Sequence, residues 1–149
     1  MSVNQWGVDA KTTSFVKRFA PLHLKAYQDE FGKWCIAYGH TGADINAEST
    51  ITEQAADELL IKDLTASGNG VNAVTTAKIN KHQFDALVSF VHNLGIETLQ
   101  QSTLIRLINL GKFDSAANEF PRFTKAGGRE SPSLLKRRYA ERELFLTPF

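Results

Sequence analysis

Apolar positions recur with helical period in several stretches and cluster with strand formers in one. Phe15, Val16 and Phe19 make the apolar face of a first helix, with Thr13 or Ser14 able to cap it. Residues 1–12 are expected to lead in without regular structure. Pro21 biases Ala20 away from the helical region, so this helix should stop there. Ala26 to Asp29 and Trp34 to Tyr38 are rich in strand formers around Gly32, which predicts a β-hairpin. Ala43 to Thr50 reads as an exposed loop. Thr52 then starts a long helix with Ala55, Ala56, Leu59, Leu60 and Leu64 on one face, and Ser67-Gly68-Asn69-Gly70 is expected to end it. Val71 to Ile79 reads as an irregular connection.

Asn80 with Gln83 three residues on is a capping-box pattern opening a helix through Phe84, Leu87, Val88 and Val91, stopped by Gly95. This should be the most buried helix. Ser102 caps a short helix ended by Gly111, and Phe113 to Phe120 forms another. Gly127 to Pro132 is a loop. Ser131, with Pro132 at the first helical position, opens the last helix. One helix, a small sheet and then a run of helices predicts an α+β fold with a segregated antiparallel hairpin. The length suits one domain over 1–149, with a small β lobe at about 20–50. The helical lobe then takes about 65–149 plus the first helix, and the long helix joins the two.

Composition excludes more than it proposes. The net charge of +1 gives no bulk attraction to nucleic acid. Cys35 is the single cysteine, so no internal disulfide framework exists. No apolar run is long enough for a membrane span, and the first residues lack a basic segment followed by an apolar run, so neither membrane insertion nor a signal peptide is expected.

The informative stretch is Phe19 to Gly42. It places Ala20 at a helix end, Asp29 after eight intervening residues, Cys35 after five more, and then Ala37-Tyr38-Gly39-His40-Thr41-Gly42. This frame resembles the phage-type lysozymes, the muramidase family of the T4 and lambdoid endolysins. Their motif is a Glu ending the first helix, usually followed by Gly, with eight residues intervening before an Asp or Cys and five more before a Thr, then Gly-Tyr-Gly-His-Thr-Gly. Further segments are similar in the same order: Ile51 to Ala55, Gln83 to Phe90 with Asn93-Leu94-Gly95, Ser102 to Leu104, and Ala126 to Gly128 with Pro132, Arg137-Arg138 and Glu141-Arg142. Ser133 stands where the family usually has Gly. The resemblance covers roughly residues 13–146.

The resemblance implies cleavage of the β-1,4 bond between N-acetylmuramic acid and N-acetylglucosamine in peptidoglycan. It implies no cofactor and no metal, a monomer, and synthesis in the host bacterial cytoplasm with action at the cell wall after release. In the family the Glu is the acid and the counterpart of Asp29 the second carboxylate, while the Thr counterpart of Cys35 places water. Tyr38, His40 and Asn93 are the expected substrate contacts. Glycoside cleavage normally needs two carboxyl groups, and Ala20 cannot donate a proton. The chain is therefore expected to be inactive or severely impaired.

Two function classes follow. In one, the protein is a muramidase whose acid has been removed. In the other, it is a natural lysozyme-fold protein that binds cell wall or a partner without hydrolysis, and Cys35 for Thr with Ala37 for Gly favours such drift. Substitution of the acid by Glu30 is not expected, because strand alternation would turn it away from the cleft; Glu48 lies in a loop of undetermined path. Bland readings stand beside these. Asp29 suits a turn, and Tyr38 and His40 suit packing or hydrogen bonding within the small lobe. A metal set of His23, Asp29, Cys35 and His40 matches no common zinc spacing. A Cys35 nucleophile would require a low thiol pKa. Lys136-Arg137-Arg138 suits a solvated face or internal ion pairs.

Overall fold

The computed structural model describes residues 3–149. In chain order it runs α1 (Ala10–Lys17), β1 (His23–Gln28), β2 (Trp34–Ala37), β3 (His40–Thr41), α2 (Glu53–Val74), α3 (Lys81–Leu94), α4 (Ile96–Gln100), α5 (Thr103–Asn109) and α6 (Phe113–Ala117). A 3₁₀ turn (Phe120–Arg122), β4 (Lys125–Ala126), β5 (Arg129–Glu130) and α7 (Pro132–Leu146) complete it. The fold is α+β: a helical body with a small antiparallel sheet beside it in the order β1-β2-β3, packed on α2, and β4-β5 as a separate two-residue ladder.

The first helix begins earlier than the sequence suggests. Asp9, not Thr13 or Ser14, is its cap: the carboxylate accepts from the Lys11 and Thr12 amides, and Thr12 Oγ1 accepts from the Asp9 amide. A cap at Asp9 also satisfies the donors at the positive end of the helix. The chain leaves the helical conformation after Arg18 and reaches Pro21, as the proline requires.

The long helix runs past its expected stop. Gly68 and Gly70 lie inside α2, which ends at Val74. A Cβ on Gly68 would come within 2.9 Å of Phe84 Cζ, and one on Gly70 within 3.0 Å of Ile96 Cδ1. Here glycine lets α3 and α4 approach the backbone of α2, and that contact outweighs its weak helix propensity. The turn after β2 likewise goes further than a simple closure, because His40 and Thr41 pair back as β3, with Ile36 opposite His40 and Cys35 opposite Thr41.

The expected buried helix is α3, where Gln83 to Val91 are all buried. Its capping box forms as read: Asn80 accepts from the Gln83 amide, and Gln83 accepts from the Asn80 amide. Gly95 at φ +91 ends α3 and starts α4, a conformation costly for any residue with a Cβ. Ser102 and Ser131 cap α5 and α7 as expected. The core is continuous from Val16 and Ile36 through Leu60, Leu64, Phe84 and Phe90 to Phe120 and Phe145. Among the described residues no helix is long and apolar enough to cross a membrane.

Candidate active site

A cleft of about 700 Å³ runs between the sheet side and the helical body. The end of α1, the β1–β2 turn and β3 form one flank. The middle of α2, the end of α3 and the first turn of α7 form the other. Ala20, Asp29 and Cys35 all line it, as do His40 and Asn93. The helix end and the hairpin thus bring the sequence-predicted site to one place. Tyr38 is the exception: it does not line the cleft, and its hydroxyl donates to Asp57 Oδ1 at 3.0 Å while Lys17 Nζ sits over its ring. A buried tyrosine needs a partner for its hydroxyl, and α2 supplies one on the far side of the turn.

Asp29 does two things at once. Its Oδ1 accepts from the amides of Phe31 and Lys33, at 2.9 and 3.0 Å, so one carboxylate oxygen organises the β1–β2 turn. None of these bonds uses Oδ2. The turn fixes the carboxylate's orientation, as a group working on a bound ligand requires.

Glu30 contradicts the alternation argument. Residues 29–33 are turn, not strand, so the side chain is free to face the cleft. It spans the opening to the start of α7 and accepts from Ser131 Oγ at 2.5 Å and Ser133 Oγ at 2.9 Å. The departure at Ser133 thus supplies one of the two hydroxyls that hold the cleft's flanks together. Asp63, the third cleft carboxylate, pairs with His40 Nδ1 at 2.8 Å. Glu48 does not line the cleft. Each cleft acid thus makes a contact of its own, with the turn amides, with the α7 hydroxyls or with His40.

Cys35 is 1% exposed, and its thiol donates to the Tyr27 carbonyl at 3.5 Å. Burial pushes the thiol pKa up. A buried thiol with a raised pKa is a poor nucleophile, which argues against the cysteine chemistry considered above. His40 faces Asp63 rather than Cys35. Among the described residues no cluster of three or more His, Cys, Asp or Glu side chains could hold a metal ion.

The basic run near the C-terminus is not a solvated face. Arg137 and Arg138 are 5% and 0% exposed and surround Glu141, which is fully buried. Arg137 Nε donates to Glu141 Oε2 at 3.4 Å, and Arg138 Nη1 lies 3.0 Å from Glu141 Oε1. Ser89 Oγ donates to Glu141 at 2.6 Å, and Asn93 accepts from Arg138. Asn93 thus uses its oxygen internally while lining the cleft. Of the two arginines, only Arg137 reaches the cleft, its guanidinium 6.0 Å from the ring of Phe19, the residue before Ala20. His92, beside it, is held below the ordinary imidazole pKa by burial and then by the charge on Arg137. Its Nε2 donates to the Tyr38 carbonyl at 2.8 Å and pins the turn. Sequence alone gives little sign of Glu30, Asp63 or Arg137: an acid in a turn, an acid on a long helix and a basic run are each common on surfaces.

The chain and its fold have known counterparts. An endolysin of Bacillus phage B103 is 38% identical over 99% of the chain, which covers 55% of that protein. The endolysin of Salmonella phage P22 is 36% identical over 89% of the chain and 92% of its own length. Among solved structures, the muramidase domain of SpmX from Asticaccaulis excentricus superposes with a TM-score of 0.85 at 34% identity, covering 97% of this chain and all of that one. A P22 lysozyme mutant gives 0.78 at 32% identity, over 96% of this chain and all of that one. The chain spans about half the length of the first curated relatives it matches. It matches the family model for phage lysozyme over residues 17–141, and it belongs to that family.

Proposed function

We propose that this chain is a muramidase-fold domain that takes the glycan strand of bacterial peptidoglycan in its cleft. We further propose that its hydrolysis of the β-1,4 bond between N-acetylmuramic acid and N-acetylglucosamine is absent or severely impaired. The observation that carries this is the convergence of Ala20, Asp29 and Cys35 on one cleft in a phage lysozyme family member. Asp29 fits the role of the ionised carboxylate, since its turn orients it and the bonds above leave Oδ2 unused. Cys35 stands where a hydroxyl would place water, and a thiol does that weakly. His40 and Asn93 line the cleft as candidate sugar contacts. The site of action under this reading is the cell wall.

Position 20 supplies a methyl where protonation of the leaving oxygen is needed. A positioned general acid contributes about 10²–10⁴ in rate. Ala20→Glu is therefore expected to raise cell-wall clearing by at least about 100-fold. Burial would push the new carboxyl's pKa up, whereas Arg137, on the same cleft, would pull it down, so recovery is expected to be incomplete. Adding Cys35→Thr should exceed the single change. A turbidity assay on purified walls checks both. Clearing by the unaltered chain at an ordinary lysozyme rate would overturn the assignment of the missing acid to position 20.

A further inference from the structure

The buried charges beside the cleft do not balance. Arg137 and Arg138 carry two positive charges, and Glu141 is the one acid packed with them. Glu141 can supply at most one negative charge, so the cluster is left with at least one uncompensated positive charge. Buried charges in proteins are normally paired, because an isolated one forfeits its hydration without return.

Among the described residues no acid other than Glu141 lies within ion-pair distance of either arginine. Asp29 and Glu30 are held by neutral amides and hydroxyls, and Asp63 faces His40. His92 is a half-buried imidazole whose charging is disfavoured, and the remaining charged cleft residues Arg18, Lys33 and Lys136 are basic.

The excess opens in one direction. Arg137 Nε is used by Ser89 and Glu141, and Nη2 by the Ser89 carbonyl at 2.9 Å. Among the described residues nothing accepts from Nη1. This side chain is more than nine-tenths buried, yet it lines the cleft beside Phe19, the residue before Ala20, which lines the same cleft. Ala20 ends at Cβ and adds no polar atom to that corner.

We propose that Ala20 and the guanidinium of Arg137 form a carboxylate-binding subsite in the cleft, in which a carboxylate from outside the chain neutralises the buried arginine pair. A carboxylate matches the planar donors of a guanidinium, and its charge is what the cluster lacks. The carboxylate is either a free small anion or one carried by a cleft ligand. The subsite follows from buried charge and goes beyond the hydrolytic reading, so cell-wall binding and lysis can fail without affecting it.

The test uses the full chain with ¹⁵N-labelled arginine, following the Arg137 side-chain resonances by NMR. Sodium formate is titrated against sodium chloride at constant ionic strength. The expected result is a saturable shift at Arg137 with formate alone, and a melting temperature that rises with formate. Ala20→Glu supplies the carboxylate internally and should abolish both responses. Arg137→Met should also abolish the melting response; if that variant does not fold, the Ala20→Glu comparison still decides. N-acetylmuramic acid is compared with N-acetylglucosamine, which lacks the lactyl carboxylate. A shift with the former but not the latter assigns the carboxylate to the glycan, and a shift with formate only assigns it to a free anion. No saturable response to any carboxylate, or an equal formate response in Ala20→Glu, overturns the proposal.

Discussion

Two groups of buried charge sit at opposite ends of α3. At its start, Lys81 Nζ meets Asp85 at 2.6 Å, Thr12 Oγ1 at 3.0 Å and Asp9 at 3.3 Å. That is one cation against two acids, tied in by a capping residue. Towards its end, Arg137 and Arg138 share Glu141. The first group lies away from the cleft and is closed, because its second acid, Asp9, is half exposed to water. The second borders the cleft and is open, because its excess charge is buried. The contrast extends to the backbone. Behind the cleft the capping boxes of α1 and α3 are complete, whereas in the strand that leads to the cleft-lining Gly39 and His40, Ala37 holds a φ of +60, and the half-buried His92 sits beside a cation. Behind the cleft the charges are matched or reach water, whereas the excess buried charge lies where the cleft opens beside it.

The largest effect should come from removing the one acid of the open cluster. Glu141→Leu leaves two buried guanidiniums with no counter-charge, and breaking such a pair typically costs about 3–5 kcal/mol. That is a large part of the roughly 5–15 kcal/mol available to a domain, so the variant should be marginally folded at best. Urea unfolding measures it. A loss under about 1 kcal/mol would mean that the arginines do not depend on Glu141, and the contrast would fail.

At the closed cluster the same operation should cost less. Asp85→Asn deprives Lys81 of its nearest acid but leaves Asp9 and the Thr12 hydroxyl in place. The expected loss is about 1.5–3 kcal/mol, the usual cost of a lost hydrogen bond to a charged group. Equal losses for Asp85→Asn and Glu141→Leu would mean that the second acid at Asp9 contributes nothing.

Acid should act on the cleft side first. His92 is held below the ordinary value of 6.5 by burial and the neighbouring Arg137, so below that pH the unfolded chain binds a proton that the folded chain resists. Stability from this group is fully present above pH 6.5 and falls as the pH drops below it, with a slope of at most ~1.4 kcal/mol per pH unit. His92→Gln can still donate to the Tyr38 carbonyl but has no proton to gain. Melts between pH 7 and pH 5.5 should show a flatter slope for the variant. Identical slopes would place the acid sensitivity elsewhere.

What the sequence made legible follows the same division. The Asn80–Gln83 box, the Ser102 and Ser131 caps and the Pro21 stop are local, and each was readable from two or three neighbouring residues. Gly68 and Gly70 misled because their reason is tertiary: they admit Phe84 and Ile96, from a helix pair that sequence spacing does not position. Strand alternation failed at Glu30 because alternation ends where the turn begins. In the site, the spacing from Ala20 to Cys35 located one flank of the cleft. The other flank, Asp63 and Arg137, comes from helices distant in the chain, and a basic run gives no sign that it will be buried around a single acid.

The smallest effect tests the strain in the strand that leads to the cleft. Ala37 sits at φ +60 and is 1% exposed, in the position where the resembled motif has Gly. An alanine in the left-handed region costs roughly 1–2 kcal/mol, which Ala37→Gly would release. Two terms oppose the release. The unfolded chain gains backbone freedom worth about 0.4–1 kcal/mol, and a buried methyl worth about 0.8 kcal/mol is lost. The net change is therefore expected within about 1 kcal/mol of zero. His92 keeps the turn in place through the Tyr38 carbonyl whichever residue precedes it. Chemical denaturation of the variant decides the point. A loss above about 1.5 kcal/mol would show that the methyl is a packing anchor rather than a source of strain, and Ala37 would then belong with the satisfied part of the molecule.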